Sequence, residues 1–149
     1  MTEVLFYHLQ TRTLEQALPG LLEKCLQRGW RTVVQSGSVE RRDALDTHLW
    51  TYSEESFLPH GIRPEEVNEH AVRLTAEPDA ADGATVRFFV DRAVPPDDLD
   101  GYVRLVFLFD GNDPDAVLDA RGHWKAMKAR GLTPTYWIQD EHGRWSQKA

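Results

Sequence analysis

Only one cysteine, Cys25, occurs in 149 residues, which excludes a disulfide scaffold and any multi-cysteine zinc or iron–sulfur site. No run of eighteen apolar residues is present, so nothing reads as a membrane span. The opening Met1-Thr2-Glu3 has no basic n-region, and no secretory leader is expected. Phosphate-binding signatures are missing too. There is no GxxxxGKS/T loop, no GxGxxG after the first apolar run, and no glycine in the turn Gln10-Thr11-Arg12-Thr13 that would let backbone approach a phosphate. No serine stands in a GxSxG elbow. The histidines His8, His48, His60, His70, His123 and His142 show no HxxxH spacing, so ordinary core or surface roles are expected rather than a metal site. Asp79, Asp82, Asp97, Asp98, Asp100, Asp110 and Asp113 fall in loop-like stretches, where carboxylates solvate turns and cap helices. No pair of them is forced to titrate apart. Neither catalysis nor a cofactor is expected.

What remains is an ordinary globular chain. With 41% hydrophobic residues it can bury a core, and its length suits one domain over 1–149, soluble and cytoplasmic. The net charge of -7 argues against a surface built for nucleic acid or anionic membrane, so weak or indirect nucleic-acid contact is the most expected. That charge is unevenly spread. Residues 121–149 carry six Lys and Arg against two acids, a local +4, while the first 120 residues carry -11. An acidic body with a basic terminal region suggests a local electrostatic site; a solvated helix face is the blander reading.

The order of elements favours a parallel sheet with helical crossovers. Val4 to Leu9 reads as a buried first strand. Thr13 is a candidate N-cap before Leu14, Ala17, Leu18, Leu21, Leu22, Cys25 and Leu26 at helical spacing, with Gly29 as the stop. Pro19-Gly20 inside this stretch predicts a kink or a late start. Arg31 to Gln35 follows as a strand, then a helix capped by Ser38 and carrying Val39, Leu45, Leu49 and Trp50. Ser56 to Gly61 reads as a loop, 72–75 and 85–90 as strands, 77–83 as an acidic turn, and 102–109 as the strongest strand. Asp113-Pro114 opens a helix that runs to Arg130 and stops at Gly131. Thr135 to Gln139 and Arg144 to Gln147, around Asp140-Glu141-His142-Gly143, read as a terminal hairpin.

Two surfaces stand out. On the last helix Ala116, Ala120, Trp124 and Met127 share one side, while Arg121, Lys125 and Lys128 fall within about 60° of one another beside Val117 and Trp124. An amphipathic helix with snorkelling basic residues accounts for this row. So does a border that takes an acidic peptide, its carboxylates on the cations and its apolar end beside Trp124. The second surface is Trp50 with Phe57-Leu58-Pro59-His60-Gly61-Ile62, either core closure or an exposed partner patch. Cys25 lies on an apolar stripe and reads as a core thiol.

Leu45-Asp46-x-x-Leu49-Trp50 followed by Ser56-Phe57-Leu58-Pro59-His60 resembles the signature of the chi subunit of bacterial DNA polymerase III. The strand with Phe6-Tyr7, the Gly29-x-Arg31 turn and Ala120-Arg121-x-x-Trp124-Lys125-Ala126-x-x-Ala129-x-Gly131 fit the same family. Tyr136-Trp137-Ile138-Gln139 looks like the alphaproteobacterial variant. The resemblance implies a three-layer α/β/α fold around a mostly parallel, mixed sheet with a C-terminal hairpin, and no catalytic activity apart from the polymerase complex. It implies binding of the acidic C-terminal tail of single-stranded DNA-binding protein, with Arg121 and Lys125 on the tail carboxylates and Trp124 walling the apolar pocket. Lys128 joins them by helix geometry, and Val117 stands where some members carry a lysine. Trp50, Phe57, Leu58, Pro59 and His60 match the family's docking patch for the psi subunit, which in other lineages would meet a clamp-loader subunit or a helicase-like partner. A nucleotide-binding α/β enzyme of similar architecture is the competing reading, weakened by the missing phosphate loop.

Overall fold

The computed structural model describes residues 2–51, 60–61, 72–78, 84–99 and 101–148; of residues 50, 51, 60 and 61 it describes the backbone alone. The first strand, β1 (Glu3–Leu9), buries Val4, Leu5, Phe6 and Leu9, using both faces as a central strand must. Helix α1 (Leu14–Gln27) opens on a capping box: Thr13 Oγ1 accepts from the Gln16 N–H, and Gln16 Oε1 accepts from the Thr13 N–H. Such a cap contributes about 1 kcal/mol. The helix closes with Gly29 at φ 73°, its N–H on the Leu26 carbonyl and the Trp30 N–H on that of Cys25.

The expected late start of α1 does not occur. The helix begins directly after its cap and runs through Pro19. Proline has no N–H for the Glu15 carbonyl, but His48 Nε2 donates to that carbonyl at 2.6 Å. A side chain from the next helix thus replaces the missing intrahelical bond.

Strand β2 (Thr32–Gln35) is wholly buried. Helix α2 (Val39–Thr51) starts where Ser38 Oγ accepts from the Arg41 N–H, and buries Leu45 and Leu49. A second correction follows. His60–Gly61, read above as loop, forms a two-residue strand, β3, parallel to β4 (Val72–Thr75). The open edge of β4 supplies the partner, which local composition does not reveal. Strands β5 (Val86–Phe89) and β6 (Arg104–Asp110), helix α3 (Pro114–Ala129), and strands β7 (Pro134–Gln139) and β8 (Trp145–Gln147) complete the order.

Among the described residues these strands form one eight-stranded sheet, β3-β4-β2-β5-β6-β1-β7-β8, parallel except for the β7/β8 hairpin. The hairpin is no appendage, because β7 pairs in parallel with β1 from Val4↔Pro134 to His8↔Ile138. Leu18, Leu22, Leu45 and Leu49 of α1 and α2 pack with Leu74, Phe88 and Leu108 on one face. Ala120 and Met127 of α3 pack with Phe6, Leu105 and Phe107 on the other. The three-layer α/β/α architecture with a mixed sheet is as expected. Among the described residues no helix is long and apolar enough to cross a membrane.

From β1 the chain leaves over one face toward β2; from β6 it leaves over the other face, past β1, to β7. Between β6 and β1 the connections therefore diverge, and the carboxyl ends of the strands open into a crevice of about 610 Å³.

Candidate functional site

Helix α3 is fixed at both ends by local chemistry. Asp113 Oδ1 accepts from the Asp115 N–H at 3.0 Å and Pro114 occupies the first turn. At the other end Gly131 takes φ 83°, and the Leu132 N–H reaches the Met127 carbonyl at 3.2 Å. Between these caps Ala116, Ala120 and Met127 are buried. Trp124, on the same side, is half-buried: its indole stands edge-on to Phe6 at 5.3 Å between ring centroids and to Tyr136 at 6.3 Å.

Arg121, Lys125 and Lys128 are all exposed, and none joins an ion pair with a described residue. Lys128 Nζ lies 5.3 Å from the centroid of the Trp124 ring, close enough for a cation–π contact. Val117 is half-buried one turn before Arg121. The helix thus brings Arg121, Lys125, Lys128, Val117 and Trp124 onto one border, where cations flank an indole.

Sequence reasoning missed the far wall of this border. Phe6 and Tyr136 are register partners across β1 and β7, so both side chains emerge on the α3 face. A hydrogen bond joins the Tyr136 hydroxyl to His8 Nδ1. Burial pushes the pKa of the Tyr136 hydroxyl above its usual range, against the nearby charge of Arg121. Burial likewise makes His8 a weaker base than usual, with Asp110 opposing. The signal for Tyr136 was a period-2 strand; the pairing that aims it at Trp124 spans the whole chain.

The second surface is only partly on view. Trp50 lies in the last turn of α2 and His60 in β3, as backbone; Phe57, Leu58 and Pro59 lie outside the described residues.

The crevice at the carboxyl ends is chemically different. Arg41 bonds Glu15, and its Nε stands 3.2 Å from Asp91 Oδ2. Arg92 Nε donates to Asp119 Oδ2 at 2.6 Å. The Asp91 carboxyl is pushed up by burial despite Arg41, whereas Arg92 pulls Asp119 down. Asp110 and Asp113 also line this space. Two of its three arginines are therefore already neutralised, and carboxylates outnumber the cations. Cys25 is buried, and burial raises its thiol above the usual range, as a core thiol requires. Among the described residues no group of three metal-ligating side chains converges.

A model of the family described as DNA polymerase III chi subunit, HolC, matches residues 1–135. The probable DNA polymerase III subunit chi of Rickettsia prowazekii (strain Madrid E) is 33% identical over 63 residues. That alignment takes in 42% of this chain and 38% of the relative, so the chain spans about two-fifths of the length of the curated protein it matches.

Proposed function

The chain belongs to the family of the DNA polymerase III chi subunit, an accessory subunit in DNA replication, and on that premise we propose that it is a non-catalytic adaptor gripping the acidic C-terminal tail of single-stranded DNA-binding protein. The observation that carries this reading is the row of exposed cations on α3, joined to no carboxylate among the described residues, beside a half-buried indole. Arg121 and Lys125 meet the tail carboxylates, and Lys128 extends the row. The apolar chain end enters between Trp124, Val117 and Tyr136, where desolvation strengthens the charged contacts around it. The Trp50 and Phe57–His60 patch meets the psi subunit, a clamp-loader subunit or a helicase-like partner, in the cytoplasm.

Titration of a labelled tail peptide by fluorescence polarisation tests the site. Arg121→Ala and Lys125→Ala are each expected to weaken binding about five- to twenty-fold, the range of one charge-assisted contact. Unchanged affinity in both variants would overturn the site. Deleting the peptide's terminal apolar residue should cost more than neutralising one acid; the reverse ranking would mean a purely electrostatic patch.

The crevice keeps a nucleotide enzyme in view as the second reading, because it sits where open α/β sheets bind ligands. Two of its arginines, Arg41 and Arg92, are held by Glu15, Asp91 and Asp119, which leaves little positive charge for a triphosphate. Calorimetry with ATP and magnesium should show no micromolar binding; clear binding would favour the enzyme.

A further inference from the structure

On the sheet face opposite α3, beyond the edge of α1, four aromatic side chains converge: Tyr7 of β1, Trp30 of the α1–β2 turn, Trp137 of β7 and Trp145 of β8. Strand register explains the meeting. Tyr7 stands beside Trp137 in the parallel pair, and Gln139 opposes Trp145 in the hairpin, so both indoles and the phenol share one face. The rings of Tyr7 and Trp145 are 4.6 Å apart between centroids at 49°, and those of Tyr7 and Trp137 are 6.2 Å apart at 52°. All four residues are half-buried, so each keeps part of its surface in reach of solvent.

Three cations rim this cluster. Arg28 and Arg104 place their guanidinium carbons 4.8 and 4.9 Å from the Trp30 ring centroid, and Lys24 stands one turn before Arg28 on α1. Together these side chains line a cavity of about 210 Å³ floored by Leu21, Cys25, Phe88 and Val106. Among the described residues no carboxylate lines it, although the chain carries a net charge of -7. Arg104 is held from outside by Glu3 at 2.7 Å, while Lys24 and Arg28, both exposed, join no ion pair with a described residue. Trp137 and Trp145 lie beyond residue 135, where the family match ends.

Half-buried indoles beside cations that join no ion pair with a described residue suit alternating bases and phosphates. A base stacks on an aromatic ring whatever its identity, and Lys or Arg neutralises the flanking phosphates. A duplex does not fit, since its bases are stacked on one another and offer no free face. An acidic peptide would use the cations but leave most of the aromatic surface idle. We infer that this pocket is a contact for single-stranded DNA, with bases stacked on Trp145 and Trp137 and phosphates held by Lys24 and Arg28. The choice of DNA over RNA rests on the family's place in replication. The acidic body keeps the contact weak and salt-sensitive, a second foothold on the face away from the tail-binding border.

Anisotropy of a labelled oligo(dT) of about twenty nucleotides, titrated with the full chain at low salt, tests this. The wild type should bind saturably in the range of about 10⁻⁶ to 10⁻⁴ M, typical of sequence-independent contacts. Trp145→Ala should weaken binding about five-fold or more, and Trp145→Phe should restore most of it, because stacking needs only a π face. Lys24→Glu with Arg28→Glu, both at exposed positions, should weaken it about ten-fold or more, and Arg28→Ala should lower the salt slope by about 0.7. Arg121→Ala should leave oligonucleotide binding within two-fold, and Arg28→Glu should do the same for the tail peptide. Failure at one site is therefore read independently of the other. Absence of saturable binding, loss in Arg121→Ala in place of the Arg28 variants, or displacement of the oligonucleotide by the tail peptide from this pocket would each overturn the inference.

Discussion

The two halves of α3 make opposite use of charge. The first half carries Asp113, Asp115 and Asp119, faces the crevice, and spends its acids locally: one caps the helix and another holds Arg92. The second half carries Arg121, Lys125 and Lys128, and leaves all three open to solvent. The helix dipole favours this arrangement at both ends. The lesson is that net charge does not say where an anion can land. What decides is whether a cation has already found a carboxylate inside the molecule.

The largest effect should come from reversing the open half. Arg121→Glu with Lys125→Glu should cut tail-peptide affinity by about fifty-fold or more in fluorescence polarisation, because attraction becomes repulsion at two contacts. Arg92→Glu, on the occupied half, should change it less than two-fold. Equal losses would break the comparison.

A cation partnered wholly inside is expected to act on the fold and not on the tail. Arg87 is fully buried and donates to Gln35 Oε1, the Tyr102 hydroxyl and the Glu77 carbonyl. Arg87→Leu strands these acceptors and should destabilise the fold by about 2–4 kcal/mol in urea denaturation, leaving the tail affinity of folded protein unchanged. A stable Arg87→Leu protein would show that the interior does not depend on that network.

Salt should act selectively. Raising ionic strength from about 50 to about 200 mM should weaken wild-type tail binding several-fold, chiefly through the association rate. Trp124→Ala should weaken binding while keeping the same salt slope, since the indole contributes no charge. A flat salt response in the wild type would move the binding energy off the cations.

The smallest effect concerns His123, which stacks on Phe107 at 5.2 Å and whose burial lowers its affinity for protons, with Asp119 opposing. The unfolded chain takes up a proton near the ordinary value of 6.5 and the folded chain only at lower pH. Stability from this source is thus full above that value and is lost as pH falls through it toward the folded one. Melting temperatures at about pH 7.5 and about pH 5.5 should differ less in His123→Phe than in the wild type. An identical pH dependence would remove His123 from the account.

Legibility in the sequence followed the range of the interaction. Thr13, Ser38 and Asp113 announced their helices because a cap involves residues two or three apart. The placement of Ala116, Ala120 and Met127 inward and of Arg121, Lys125 and Lys128 outward followed from helical period alone. The late start suggested by Pro19 does not occur, because the remedy, His48, lies twenty-nine residues away on another helix. His60–Gly61 misled because β4 makes it a strand. The Tyr136 wall and the aromatic pocket were hidden for the same reason: both depend on β1 and β7 lying side by side, and neither strand carries a mark of its neighbour. Phe57, Leu58 and Pro59 stood out as an apolar, proline-containing loop and matched the family's docking patch, and their role is a proposal on those grounds.

That pairing also has a consequence for how the chain comes to be folded. β1 leaves the ribosome ahead of every other strand described, yet its neighbours β6 and β7 begin about one hundred and about one hundred and thirty residues later. Until then a strongly apolar segment waits with both edges bare. Contacts this distant along the chain are slow to form, and an idle strand is a template for mispairing. Shielding β1 until those neighbours arrive is accordingly expected to raise the yield of correctly folded chain.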